Sequence, residues 1–89
     1  MKVSNMRSRN SGREVANQFI IEHDGYTYFQ SYQTIIARKG GGETVLDKDY
    51  WDYSVTTGKY RNQFLGEGIN ETRRKIREGI YRVEDLNID

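Results

Sequence analysis

The sequence predicts an α+β domain: a three- to four-stranded antiparallel meander, two short helices packed on one of its faces, and a C-terminal strand or tail. Three observations carry that prediction. Phe and Ile alternate with polar residues up to Asp24-Gly25, and a tyrosine-rich run follows it. A second glycine turn, Gly40-Gly41-Gly42, leads into another short apolar segment. Beyond Asp47 the apolar spacing changes from that of a strand to that of a helix, punctuated by Gly66, Gly68 and Gly79.

The elements follow in order. Residues 1–15 are small, polar and basic, with Lys2, Arg7, Arg9 and Arg13 against Glu14, and they lack an apolar period. They read as a flexible basic arm, ahead of a single domain over residues 16–89. Residues 18–23 read as a strand, and Asp24-Gly25 suits the centre of a type I′ turn. The chain then returns antiparallel, with Ile21 opposite Tyr28 and Ile20 opposite Phe29. Tyr26, Tyr28 and Tyr32 would share one face of an unbroken strand. Strands usually stop near six residues, so a bulge or bend is expected near residues 31–33. Residues 43–47 form a further short strand after the glycine loop. Thr56 or Thr57 caps a helix in which Tyr60 and Phe64 lie four apart with Leu65 alongside, and Gly66 and Gly68 end it. Asn70 caps a second helix over residues 71–78, closed by Gly79. Alternation over residues 80–86 gives the final strand or docked tail.

Eighty-nine residues leave room for one core. With 35% hydrophobic residues and a mean hydropathy of −0.91 that core must be small, so the seven Tyr, three Phe and one Trp have to supply much of its area. The absence of cysteine excludes a disulfide framework and a thiolate metal site, and fits a reducing cytoplasm. The longest apolar runs are far too short for a membrane span, and the first residues lack the apolar stretch of a secretory signal, so the expected location is cytoplasmic with no membrane partner. The net charge of +1 hides alternating blocks. The first 15 residues and residues 59–79 are basic, while residues 16–58 and the last ten are acidic. Such a chain contacts a polyanion through one face, if at all.

No cofactor, metal or catalytic residue is indicated. His23 is the only histidine and sits beside the Asp-Gly turn without a positioned acid–base partner. Gly40-Gly41-Gly42 lacks the Lys-Ser/Thr and following helix of a phosphate loop. Asp47, Asp49 and Asp52 lack the glycine and distal glutamate of a calcium loop. The chemistry that does stand out is that of binding. Residues 50–65 combine the only tryptophan, three tyrosines and the cations Lys59 and Arg61. Aromatics beside Lys, Arg and Asn grip flat or charged partners, which makes Tyr53, Lys59, Arg61 and Asn62 candidate contacts. Capping and local hydrogen bonding are the competing reading of Arg61 and Asn62. Arg73, Arg74 and Arg77 on the second helix are candidate phosphate or protein contacts, with a solvated helix face as their alternative. Tyr26, Tyr28 and Tyr32 form a stacking platform if they face solvent, but the scarcity of aliphatics favours burial beneath the helices.

Asn17-Gln18-Phe19-Ile20-Ile21, Tyr28-Phe29-Gln30-Ser31-Tyr32, Tyr50-Trp51-Asp52-Tyr53-Ser54 and Thr56-Thr57-Gly58-Lys59-Tyr60-Arg61-Asn62-Gln63-Phe64-Leu65-Gly66 together resemble a family of small proteins of phages and mobile elements in Gram-positive bacteria, over roughly residues 16–87. The resemblance implies a setting, the infected or recipient cell, and transfers no functional residue. Small proteins of that setting often act by stoichiometric binding. The leading expectation is a non-enzymatic phage-type accessory protein that binds a host protein or nucleoprotein machine, inhibiting a defence system such as a CRISPR nuclease. The second is direct nucleic-acid binding in phage replication or transcription, and the third is a self-assembling homo-oligomer.

Overall fold

A computed structural model describes residues 1–87; the last two residues of the expected domain, Ile88 and Asp89, lie outside the described residues. Its elements are β1 (Lys2–Arg7), β2 (Glu14–His23), β3 (Tyr26–Ser31), β4 (Thr34–Gly40), β5 (Glu43–Asp47), α1 (Val55–Leu65), α2 (Ile69–Arg77) and β6 (Arg82–Glu84). The strands form one sheet in chain order, antiparallel except that β6 runs parallel to β5. The passage through α1 and α2 brings the chain back in the direction it left, which a hairpin cannot do.

The α+β class is the expected one, with six strands rather than three or four. Four of them, β2–β5, are the expected meander and β6 is the expected C-terminal strand; the addition is β1, at the opposite edge. Residues 1–15 are not a free arm: β1 pairs with β2 from Lys2 opposite Glu22 to Arg7 opposite Glu14, and Met6 enters the core. An edge strand of this kind escapes a pattern search because it is hydrogen-bonded along one side only and, apart from the exposed Val3 and the buried Met6, its residues are polar. The radius of gyration, 12.4 Å, is near the roughly 12 Å of a compact chain this long, consistent with the basic segment being folded in.

The hairpins follow the sequence closely. Asp24 and Gly25 both have positive φ, 51° and 82°, as a type I′ turn requires, and Ile21 pairs with Tyr28 and Ile20 with Phe29. The bend expected near residues 31–33 is a tight turn at Tyr32-Gln33. The β3–β4 register shifts between Phe29 and Gln30, so that Ile36 is an extra residue in β4. This bulge aims consecutive residues, Ile36 and Ala37, into the same core, where both are fully buried.

Phe29, Ala37 and Leu46 lie opposite one another across β3, β4 and β5 and form the centre of the core. Tyr60 and Phe64 of α1 cover them, with Met6 and Tyr81 at the margins, and the Phe29 and Phe64 rings are 5.8 Å apart. Burying each such ring contributes about 1.5–3 kcal/mol. Lys39 of β4 fastens α1 from below: its Nζ donates to the Phe64 carbonyl at 2.8 Å and lies 4.2 Å from the Phe64 ring centroid. α1 has no cation of its own in its last turn, so Lys39 supplies the charge that favours a helix C-terminus.

Both predicted helix caps are displaced. Ser54, not Thr56 or Thr57, caps α1, accepting from the Thr57 amide at 3.1 Å. Thr57 is buried, its hydroxyl 3.1 Å from that of Ser31 in β3. Gly68 is the N-cap of α2 and supplies no side-chain cap, and Asn70 is an exposed residue of the first turn.

Candidate functional site

Residues 47–54 connect the sheet to α1 and are organised by a buried carboxylate. Asp47 Oδ2 accepts from the amides of Asp49 and Tyr50, while Oδ1 accepts from the Leu86 amide and the Asn87 side chain. Asn87 in turn bonds the amide and carbonyl of Ile35, finishing the part of β4 that β5 does not reach. The resulting loop presents Tyr53, which is 56% exposed and meets Tyr50 edge-on at 5.7 Å. Trp51 is half-buried against the core.

Arg61 corrects the sequence reading. It is 1% exposed and belongs to the interior rather than to a contact surface. Its guanidinium donates to the Trp51 carbonyl at 2.9 Å, the Asp52 carboxylate at 3.1 Å and the Asn62 Oδ1 at 2.9 Å, and it lies 5.4 Å from the Trp51 ring centroid. A planar cation with five donors can bind the loop, the helix and a ring at once, as a lysine cannot.

The N-terminal basic residues and α1 converge instead on a cleft. The turn between β1 and β2 packs on the helix: Gln63 donates to the Arg7 carbonyl at 2.7 Å, and Arg9 reaches back to the Gln63 carbonyl at 3.5 Å. Arg9, Lys59 and Asn62, three of the predicted contacts, line this space of about 210 Å³ together with Ser8 and Asn10. Of the remaining basic residues, Lys2 lies 3.9 Å from Glu22, Arg7 lies 3.9 Å from Glu14 and bonds the Gly12 carbonyl, and Arg13 is exposed on the turn.

α2 does not present a free cationic cluster. Arg74 is held by Glu71 and Glu78 on its own helix, and Arg73 lies 3.4 Å from Asp52, which thereby bridges Arg61 and Arg73. Arg77 is exposed and makes no ion pair among the described residues. The helix is anchored through Glu67, whose carboxylate accepts from Lys75 and Tyr81 at 2.7 Å and from Thr72 at 2.6 Å. Desolvation pushes the Glu67 carboxyl up, but these three hydrogen bonds outweigh it and hold the group below its ordinary value. Desolvation and the bond to Glu67 push the Tyr81 phenol up.

The tyrosines are the second correction. Tyr28 pairs with Ile21 on one side and Arg38 on the other, while Phe29 pairs with Ile20 and Ala37. Directly paired residues share a face, so the helices cover Phe29 and leave Tyr28 on the opposite side. Tyr26 and Tyr28 are therefore not beneath the helices but on the open face, half-buried, with ring centroids 6.4 Å apart. The Arg38 guanidinium lies 4.7 Å from the Tyr26 centroid, and the Tyr26 ring packs so closely on Gly40 that a Cβ there would lie 2.5 Å from it. Phe19, Ile21 and Ile35 extend the same surface by register, whereas Tyr32 sits in the β3–β4 turn away from it. Sequence reasoning did not single out Phe19 or Arg38; the register of the Asp24-Gly25 hairpin places Phe19 beside the tyrosines, whereas Arg38 follows only from the β3–β4 pairing.

Among the described residues no group of three or more His, Asp or Glu side chains is placed to hold a metal ion, and no helix is long and apolar enough to cross a membrane. No curated protein and no solved structure matches the chain. One family profile does, that of a family of unknown function, DUF8033, and it runs over residues 1–82. The match takes in the basic N-terminal segment, which the resemblance noted from the motifs left out. The chain belongs to this family of unknown function.

Proposed function

We propose that the protein is a non-enzymatic accessory protein, of the phage type, that acts by stoichiometric binding to a nucleoprotein of the host cell. Its working surface is the open face of the sheet, where Phe19, Tyr26 and Tyr28 stack on unpaired bases beside Arg38. The observation that carries the reading is the placement of Tyr26 and Tyr28 on the side of the sheet that neither helix covers, next to a cation free of any carboxylate partner among the described residues. Aromatic platforms of this kind take bases without regard to sequence, and each stacked base contributes about 1–3 kcal/mol. The direct nucleic-acid-binding reading uses the same surface. Binding of a host protein alone is favoured by a different observation, the aliphatic side chains Val3, Ile21 and Ile35 on that face.

The test is capture of partners from a Gram-positive host lysate with the tagged protein, with and without nuclease, beside a Phe19→Ser/Tyr28→Ser variant. The proposal expects a partner that is lost on nuclease treatment and lost with the variant. A partner that survives nuclease moves the reading to a host protein. Capture unchanged by the variant overturns the open face as the working surface.

A further inference from the structure

We infer that the cleft between the β1–β2 turn and α1 is a binding site for a phosphate group. Its walls come from two segments far apart in the sequence, residues 8–10 and 59–63, and they bring Arg9 and Lys59 to one small space with Ser8, Asn10 and Asn62. No carboxylate lines it, in a chain with 13 acidic residues, and neither Arg9 nor Lys59 makes an ion pair among the described residues.

The neutral groups are oriented as donors. Asn62 Oδ1 is occupied by Arg61 Nη2, which fixes the amide and leaves its NH2 free to donate. Arg61 is itself locked by the Trp51 carbonyl and Asp52, so the orientation is built into the core of the domain. Ser8 Oγ accepts from the Asn10 amide at 3.3 Å, leaving its hydroxyl proton for a ligand. Two cations and two neutral donors around about 210 Å³ suit a tetrahedral dianion with several acceptor oxygens better than a single carboxylate. This assignment gives the buried Arg61 a second consequence: it positions a donor for the cleft without touching the ligand. The site is independent of the sheet-face reading, because its residues lie on the turn and on α1.

The test is titration of the ¹⁵N-labelled full chain with inorganic phosphate, against sodium chloride at matched ionic strength. Saturable shifts at the Ser8, Lys59 and Asn62 signals are expected with phosphate and not with chloride. Asn62→Asp is the decisive variant, since it keeps an acceptor for Arg61 but replaces the free donor with a second anionic oxygen, and binding should be lost. Lys59→Gln, at an exposed position, should weaken phosphate by about tenfold with the fold unchanged. A nucleoside monophosphate and a short single-stranded oligonucleotide identify the source. Displacement of phosphate by the oligonucleotide assigns the site to a nucleic-acid backbone, and preference for the small anions assigns it to a free phosphate ligand. Equal shifts with chloride, or phosphate binding that survives both substitutions, overturn the site. Tyr28→Ser serves as the control and leaves this titration unchanged even if it abolishes partner binding.

Discussion

Tyr28 and Phe29 are neighbours in β3 with opposite fates. Phe29 is fully buried between Ala37 and the helix residue Phe64, whereas Tyr28 lies half-buried on the uncovered side in a row with Ile21 and Arg38. One face of the sheet holds the domain together, and the other carries aromatic area beyond what the core uses. The difference teaches that aromatic content alone says little about stability. Its contribution depends on which side of the pleat each ring falls, and that is set by the hairpin register.

The comparison breaks most visibly in stability. Phe29→Ala should cost about 3–5 kcal/mol, read by chemical denaturation, while Tyr28→Ala should cost about 1 kcal/mol or less. Equal losses would mean that both faces are core. A similar contrast holds within α1. Arg61→Met should cost about 2–4 kcal/mol, because the Trp51 carbonyl and Asp52 lose a buried charged partner, and Lys59→Met should leave the denaturation midpoint almost unchanged. In binding the order reverses: Phe19→Ser and Tyr28→Ser should each weaken a single-stranded oligonucleotide by about 1–3 kcal/mol with little change in melting temperature.

The Glu67 anchor sharpens the account of the covered side through pH. The folded-state pKa of Glu67 is depressed, so its contribution is complete above the ordinary carboxylate value of 4.5 and disappears as pH falls through the lower folded value. Glu67→Gln should remove about 1–2 kcal/mol at neutral pH and flatten this acid limb. Lys75 and Tyr81 are shifted upward, so their contributions are present at neutral pH and are lost as the solution becomes strongly alkaline. The smallest effect is expected at Tyr32, whose φ of 56° is unfavourable for an aromatic residue. Tyr32→Asn should stabilise by about 0.5–1 kcal/mol and leave oligonucleotide affinity intact, since Tyr32 lies in the turn beyond β3 rather than in the paired row of Tyr26 and Tyr28.

Much of the fold was legible because its local signals are strong. Asp24-Gly25 fixed a turn and hence the register of β2 and β3, and Gly66 marked the end of α1. The missed features depend on contacts distant in sequence. β1 is visible only once β2 is there to pair with it, and although the alternation over residues 80–86 announces β6, its parallel pairing with β5 is set only once two helices have carried the chain back. Ser54 was overlooked as a cap because Thr56 and Thr57 have the same chemistry; the burial of Thr57 against Ser31 shows why it does not serve. At the candidate sites, Lys59, Asn62 and Arg9 were legible as polar groups able to meet a partner, but their convergence was not. Arg61 was misread because a cation defaults to the surface unless a carbonyl and a carboxylate wait for it inside. The scarcity of aliphatics favours burial of Tyr26 and Tyr28, but the pairing of Tyr28 with Ile21 and Arg38 puts them on the side away from Phe29.

The central claim, that the uncovered side of the sheet is the working surface, is tested most directly by following aromatic side-chain signals during titration with a short single-stranded oligonucleotide at low salt. The account predicts that the ring signals of Phe19, Tyr26 and Tyr28 move together and saturate, while those of Phe29 and Phe64 stay in place. Movement confined to Tyr53 and the α2 signals, or no movement of the three open-face rings at saturating oligonucleotide, would contradict it.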